Sequence, residues 1–225
     1  MTLSKLQNTI GYRFNDESLL TLALTHSSYV NEHGKTHADC NERIEFLGDA
    51  VLELASSDFL YKKNSSVSEG QLTKVRASLV CEMALAEVAR SIGLGEYILL
   101  GKGEDASGGR FRDSILSDAL ESVIGAIYLD GGFTSAKDFV EKYVMKDMET
   151  RHLFFDSKTI LQEIAQGKGL GEIKYELVSS SGPDHDKTFS SRVLVGGIEM
   201  GNGTSHTKKL SEQKAAFEAI NKIKQ

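Results

Sequence analysis

An all-α domain followed by a small α-β-β-β-α module is the fold class this sequence predicts. Three observations lead there. Up to about residue 149 the apolar residues recur at helical spacing, and no strand-like alternation is convincing before residue 170. The chain holds a single proline, so little interrupts its helices. After residue 156 the pattern changes to a helix, three alternating runs and a closing helix.

Taken in order, Leu3, Leu6 and Ile10 start one amphipathic segment, and residues 19–24 form another with Asn15 or Asp16 as its N-cap. Long periodic stretches predict helices over 44–60, 71–92, 115–129 and 136–148, with loops at 31–39, 64–70, 93–95 and 101–109. The first domain is bounded at 1–150, residues 151–155 are expected to be a linker, and the second domain covers 156–225. Within it, 158–166 reads as a helix, and 174–179, 189–195 and 198–204 read as strands. A last helix runs from 208 to about 222, with Thr207 as N-cap. No internal repeat or low-complexity tract interrupts this order.

Composition narrows the setting. The 225 residues suffice for one or two domains with ordinary cores. Two cysteines, Cys40 and Cys81, are too few for a disulfide framework and fit a reducing compartment. The N-terminus lacks a basic segment followed by an apolar run, and no stretch approaches spanning length, so a cytoplasmic protein without membrane contact is expected. The net charge of −6 argues against a generic nucleic-acid binder, but it is unevenly divided. Residues 1–155 hold 16 Lys and Arg against 23 Asp and Glu, whereas residues 156–225 hold 10 against 9. Any affinity for nucleic acid would then have to come from placed lysines and groove contacts rather than from a bulk field.

The acidity of the first domain is patterned. Glu42, Glu45 and Asp49 stand at i, i+3 and i+7 and project from one face of a helix. The i+4 neighbour of Glu45 is Asp49, and that of Asp49 is Glu53. Like charges at this spacing cost roughly 0.2–0.5 kcal/mol per pair, a repulsion that a divalent cation would remove. A solvated acidic face is the plainer explanation for that segment taken alone. A second segment favours the metal: from Asp113 to Ala136 there is no Lys, Arg or His, and an apolar helix carries Asp118 and Glu121 at i and i+3. Carboxylates in so apolar a setting need a partner. Two acidic helices without cations of their own can share hard metal ions, and oxygen-only ligands suit Mg²⁺ or Mn²⁺ rather than Zn²⁺.

The run Asn41-Glu42-Arg43-Ile44-Glu45-Phe46-Leu47-Gly48-Asp49 resembles the defining motif of the ribonuclease III family. So do Thr25-His26-Ser27-Ser28-Tyr29 upstream, and Ser107-Gly108-Gly109-Arg110 followed by Ser114-Ile115-Leu116-Ser117-Asp118-Ala119 downstream. The motif is long and barely degenerate, and the remainder of the chain resembles a double-stranded-RNA-binding domain, so the likeness covers essentially the whole sequence. It implies a Mg²⁺-dependent endoribonuclease that cuts double-stranded RNA, leaves 5′-phosphate and 3′-hydroxyl ends with short 3′ overhangs, and processes structured precursors such as those of ribosomal RNA. No organic cofactor is implied. Glu45, Asp49, Asp118 and Glu121 would form the metal cluster, with Asp49 and Glu121 nearest the chemistry. Glu42 and Glu69 match further acidic positions and are assigned to RNA or partner contacts beside the site. Phe46 would be the ball that fits a socket on a second subunit of a homodimer, each subunit cutting one strand of the antiparallel duplex.

The same likeness assigns three RNA-facing regions in the second domain. Gln162 and Gln166, one turn apart, have amides that donate and accept and so suit 2′-hydroxyls and minor-groove edges. The turn at 181–185 would insert the His185 imidazole into the next minor groove. Lys208 and Lys209 at a helix N-terminus combine point charges with free N–H groups for phosphate. Ile173 stands where the family often has Pro, and His206 where Arg is common.

Other patterns carry less. His33, His37 and Cys40 have metal-like spacing in a polar loop but lack an evident fourth ligand, so Zn²⁺ is not expected there. Glu149 and His152 make one Glu-x-x-His, whereas a di-iron bundle needs two. Gly101, Gly103, Gly108 and Gly109 show no phosphate-loop spacing. The rival from another class is a non-catalytic RNA-binding scaffold on the same fold, which would be marked by missing carboxylates; here all are present.

Overall fold

The structure is a computed structural model that describes residues 2–34, 36–63, 67–182 and 187–224. The chain divides into two compact units, Met1–Met148 and Glu149–Gln225.

The first unit is helical, as the periodicity predicts. Helix α1 (Leu3–Ile10) ends at Gly11, whose left-handed φ of 71° lets its N–H reach the Gln7 carbonyl. Helix α2 (Glu17–Ala23) is capped by Asp16, whose carboxylate accepts from the Ser18 N–H at 2.9 Å. Asn15 instead donates to Asp130 through its backbone and side chain. Helix α3 (Ser27–Glu32) reaches into the predicted loop 31–39, and a 3₁₀ turn at His37–Asp39 occupies that loop's end. Helix α4 (Glu42–Lys63) carries the acidic motif.

The predicted helix over 71–92 is two helices, α5 (Glu69–Leu79) and α6 (Glu82–Ser91), separated at Val80 and Cys81. Cys81 is extended, with φ −71° and ψ 156°. Both helices bury their apolar residues in one core, so the periodicity runs on through the break. Helix α7 (Lys102–Ala106) lies inside the predicted loop 101–109. The stretches 115–129 and 136–148 join in α8 (Asp113–Phe139), bent at Gly132, whose φ of 76° favours a residue without a side chain. A π-helical turn, Val140–Val144, follows it. Among the described residues the unit's one strand-like pairing is the isolated bridge between Thr25 and Leu99.

Helix α8 is the centre of this unit, packed against α2, α4 and α6. From Ile115 to Ile127 it is buried on nearly every side, as a helix apolar all round must be. Leu116, Leu120 and Ile124 are among the largest fully buried side chains, each stabilising the fold by roughly 1.5–3 kcal/mol.

In the second unit, residues 151–155, expected as a linker, fall within helix α9 (Met148–Phe155). Then come α10 (Ser157–Lys168), β1 (Ile173–Ser181), β2 (Thr188–Val195), β3 (Ile198–Ser205) and α11 (Lys208–Lys224). The strands form an antiparallel sheet in the order β1-β2-β3, with Tyr175 opposite Val193 and Val193 opposite Gly201. Leu161 and Ala165 of α10, Val193 and Val195 of β2, and Ala215, Ala216, Ala219 and Ile220 of α11 form the core. Thr207 caps α11 as expected, accepting from the Leu210 N–H at 3.2 Å. Ser157 Oγ donates to the Gln213 carbonyl at 2.8 Å and ties α10 to α11.

Candidate functional site

The approach of α4 to α8 builds the site, and two glycines permit it. A Cβ on Gly48 would overlap the Glu121 carbonyl oxygen and lie 2.6 Å from its carbon. A Cβ on Gly125 would overlap the Ile44 carbonyl oxygen and lie 3.1 Å from the Gly48 nitrogen. The backbones therefore touch, and carboxylates one turn either side of the contact converge. The motif's first residue, Asn41, is buried and sets the start of α4: its carbonyl accepts from the Ile44 and Glu45 N–H groups at 3.0 and 2.8 Å. Its own N–H donates to the Thr25 carbonyl at 2.8 Å, which ties the Thr25–Tyr29 motif to the same corner.

Glu45, Asp118 and Glu121 each place a carboxylate oxygen within 4.8 Å of the others. All three are half-buried, and no Lys or Arg among the described residues forms an ion pair with them. Burial, reinforced by Asp118, Glu42 and Asp49, pushes the Glu45 carboxyl up to about 7. Burial, reinforced by Asp49, Glu45, Asp118 and Glu53, pushes Glu121 up to about 8. Asp118 is also raised, chiefly by burial and further by Glu82, against the opposing Ser117 hydrogen bond and nearby His26. An all-oxygen donor set with unanswered negative charge fits a hard divalent cation.

Asp49 is exposed and stands outside this trio, although its charge acts on both glutamates. Glu42 is exposed, and Glu69 opens α5, where its carboxylate accepts from Thr73 Oγ1 at 3.1 Å. No hydrogen bond or ion pair among the described residues joins Glu69 to the trio. Phe46 is 80% exposed, so it fills no pocket of its own chain. Three further residues act on the acidic face. Arg76 of α5 answers the charge of Glu53 at 2.9 Å, so the like-charge run on α4 is partly neutralised from another helix. Glu82 and His26 act on Asp118. Arg76 and Glu82 carry no local sequence signal, whereas His26 lies inside the Thr25–Tyr29 motif.

In the second unit Gln162 and Gln166 are exposed on α10, and Lys208 and Lys209 are exposed at the start of α11. Lys208 lies 4.0 Å from Glu212, which also holds Lys158 at 2.6 Å. His185 lies outside the described residues.

The raised carboxyls make apo stability depend on pH in a definite direction. The folded chain keeps protons on Glu45 and Glu121 up to about pH 7 and 8, whereas the unfolded chain releases them near the ordinary 4.5. Stability is therefore lost as pH rises through this window. In chelator, the melting temperature should fall between about pH 5 and pH 8 more steeply for this chain than for a Glu45→Gln/Glu121→Gln variant. Parallel melting profiles for the two would contradict the assigned charge cluster.

Residues 16–148 match the family described as ribonuclease-III-like, and residues 157–223 match the double-stranded RNA binding motif. The chain is 47% identical over 224 residues to Ribonuclease 3 of Caldanaerobacter subterraneus subsp. tengcongensis, covering 98% of each chain. It is 48% identical to Ribonuclease 3 of Pelotomaculum thermopropionicum, covering 98% of this chain and 92% of the relative. Among solved structures, the nuclease domain of ribonuclease III from Campylobacter jejuni matches with a TM-score of 0.60 and 43% identity, covering 65% of this chain and 98% of that one.

Proposed function

The chain belongs to the ribonuclease III family and is an endoribonuclease of double-stranded RNA, and from this premise we propose that Glu45, Asp49, Asp118 and Glu121 form its hydrolytic centre with Mg²⁺. The family is metal-dependent. The observation that carries the reading is the convergence of Glu45, Asp118 and Glu121 within 4.8 Å. When bound there, Mg²⁺ or its substitute Mn²⁺ supplies an activated water and neutralises charge at phosphorus and on the leaving oxygen. The three half-buried carboxylates would hold the cations, and exposed Asp49 would stand on the side from which a phosphodiester approaches. Water adds across the P–O3′ bond, leaving a 5′-phosphate and a 3′-hydroxyl. Long duplex RNA incubated with the protein should give short duplex fragments in Mg²⁺ and stay intact in chelator. Equal cleavage in chelator would overturn the metal assignment. Structured precursors such as those of ribosomal RNA are the substrates this activity suits.

Gln162, Gln166, Lys208 and Lys209 are the proposed duplex contacts, with glutamine amides toward 2′-hydroxyls and ammonium groups toward phosphates. Lys208→Ala with Lys209→Ala should weaken binding about equally for unrelated duplexes. It should also lower the slope of log K against log salt by up to ~0.9 per lost contact, taking B-DNA as the guide. An unchanged slope would show that these lysines do not meet the backbone.

Phe46 is the proposed contact between two copies. In the Campylobacter jejuni structure a region of the nuclease domain is involved in dimer formation. Here Phe46, Ala50 and Leu54 form an exposed i, i+4, i+8 apolar row along α4, unusual for a face left in water. Phe46→Ala should shift sedimentation toward monomer and lower activity while leaving monomer stability little changed. A fully dimeric mutant would refute the contact.

A further inference from the structure

We propose that His37, Cys40 and Glu42 form a second metal site, one that takes Zn²⁺ or a similarly thiophilic ion and is separate from the carboxylate cluster. One ligand atom from each of the three lies within 4.8 Å of the other two. Nitrogen, sulfur and oxygen donors together suit Zn²⁺ and exclude Mg²⁺. The histidine that sequence spacing grouped with them is not part of the set. His33 Nδ1 is 2.8 Å from the Tyr29 carbonyl, and its ring stacks on Tyr29 at 4.0 Å. Glu42, counted in sequence with the acidic stripe, takes its place.

The backbone that carries the three donors is held at both ends. Before them, the Thr36 N–H and hydroxyl donate to the Asp39 carboxylate at 2.9 and 2.8 Å and close the 3₁₀ turn His37–Asp39. After Cys40, Asn41 is buried and bonded to Thr25 on one side and to the first turn of α4 on the other. Tetrahedral Zn²⁺ bond lengths place ligand atoms about 3.3–3.7 Å apart, so closure by roughly 1 Å completes the set. Cys40 is 1% exposed, whereas His37 and Glu42 are open to solvent. The sulfur is thus the floor of the site, and the ion enters from the side where the imidazole and carboxylate stand.

Little is given up on binding. His37 Nδ1 and Glu42 Oε2 are 3.9 Å apart in an exposed pair of small worth. The Cys40 thiol sits 3.2 Å from the His37 carbonyl, and its proton leaves to solvent as the thiolate binds. Three protein ligands leave the fourth position to water.

Co²⁺ is the probe, because a thiolate ligand gives it an intense near-ultraviolet charge-transfer band. The full chain should develop that band saturably with one equivalent, lose it on adding Zn²⁺, and keep it in excess Mg²⁺. Cys40→Ser should abolish the band and Cys81→Ser should leave it. Glu45→Gln/Glu121→Gln, which dismantles the carboxylate cluster, should also leave it. His37→Ala, at an exposed position, should weaken Co²⁺ binding at least as much as the roughly 10–100-fold typical of losing an outer-shell partner. It decides the matter if Cys40→Ser fails to fold. Absence of the band, or a band and affinity untouched by His37→Ala, would overturn the proposal.

Discussion

Glu121→Gln is expected to reduce cleavage of duplex RNA to background, by roughly 10²–10³-fold or more, the scale of losing one electrostatic contact at a reacting centre. Binding of the duplex should be nearly unchanged. The substitution keeps the volume of a half-buried side chain and removes the charge that a cation requires. Burial and the charges of Asp49, Glu45 and Asp118 push that carboxyl up to about 8, so the neutral amide relieves a repulsion in the apo protein. Loss of activity should therefore accompany an apo melting temperature at pH 8 that is unchanged or higher. Cleavage at the parent rate in Mg²⁺ would remove Glu121 from the site. Lost activity with a lower melting temperature would point to a packing role instead.

Gly48→Ala is expected to damage stability and activity together, although Gly48 has no functional group. Its new methyl would meet the Glu121 backbone, and a backbone cannot swing aside as a side chain can. Overpacking of this kind costs about 1–3 kcal/mol, and the relief available is for α4 and α8 to separate. Separation carries Glu45 away from Asp118 and Glu121. Residual cleavage should be small even at temperatures where circular dichroism shows the variant folded. Gly103→Ala is the control: it lies in α7 with nothing within 4 Å of its would-be Cβ, and it should be neutral. A Gly48→Ala variant that melts and cleaves like the parent would show that the helices tolerate a wider approach.

How far the sequence could be read depended on whether a signal was local. The carboxylate helices were legible because Glu45 and Asp49 lack a cation one turn away and because Asp118 and Glu121 sit in an apolar run. The α-β-β-β-α order was legible from the change of period after residue 156. The break between α5 and α6 was not, because both bury apolar residues in one core and the period continues across Cys81. The pairing of Gly48 with Gly125 was invisible, since a glycine inside a helix reads as a weak position until its partner backbone is known. His37, Cys40 and Glu42 were divided between two patterns by their spacing, and only the fold of the loop regroups them.

The latch around Asp130 bears on where an independently folding piece of this chain can begin. The ribonuclease-III-like match starts at residue 16. Asp130 of α8, however, accepts from the Tyr12 hydroxyl at 2.7 Å and from the Asn15 and Asp16 N–H groups at 3.0 and 2.9 Å. Leu6, Ile10 and Phe14 are buried in the same core as Leu120 and Ile124. Trimming to the start of that match would leave a carboxylate short of its donors and open the apolar centre to water. The packed helical unit is thus longer than the ribonuclease-III-like match alone, and α1 belongs to it as surely as the helices that carry the chemistry.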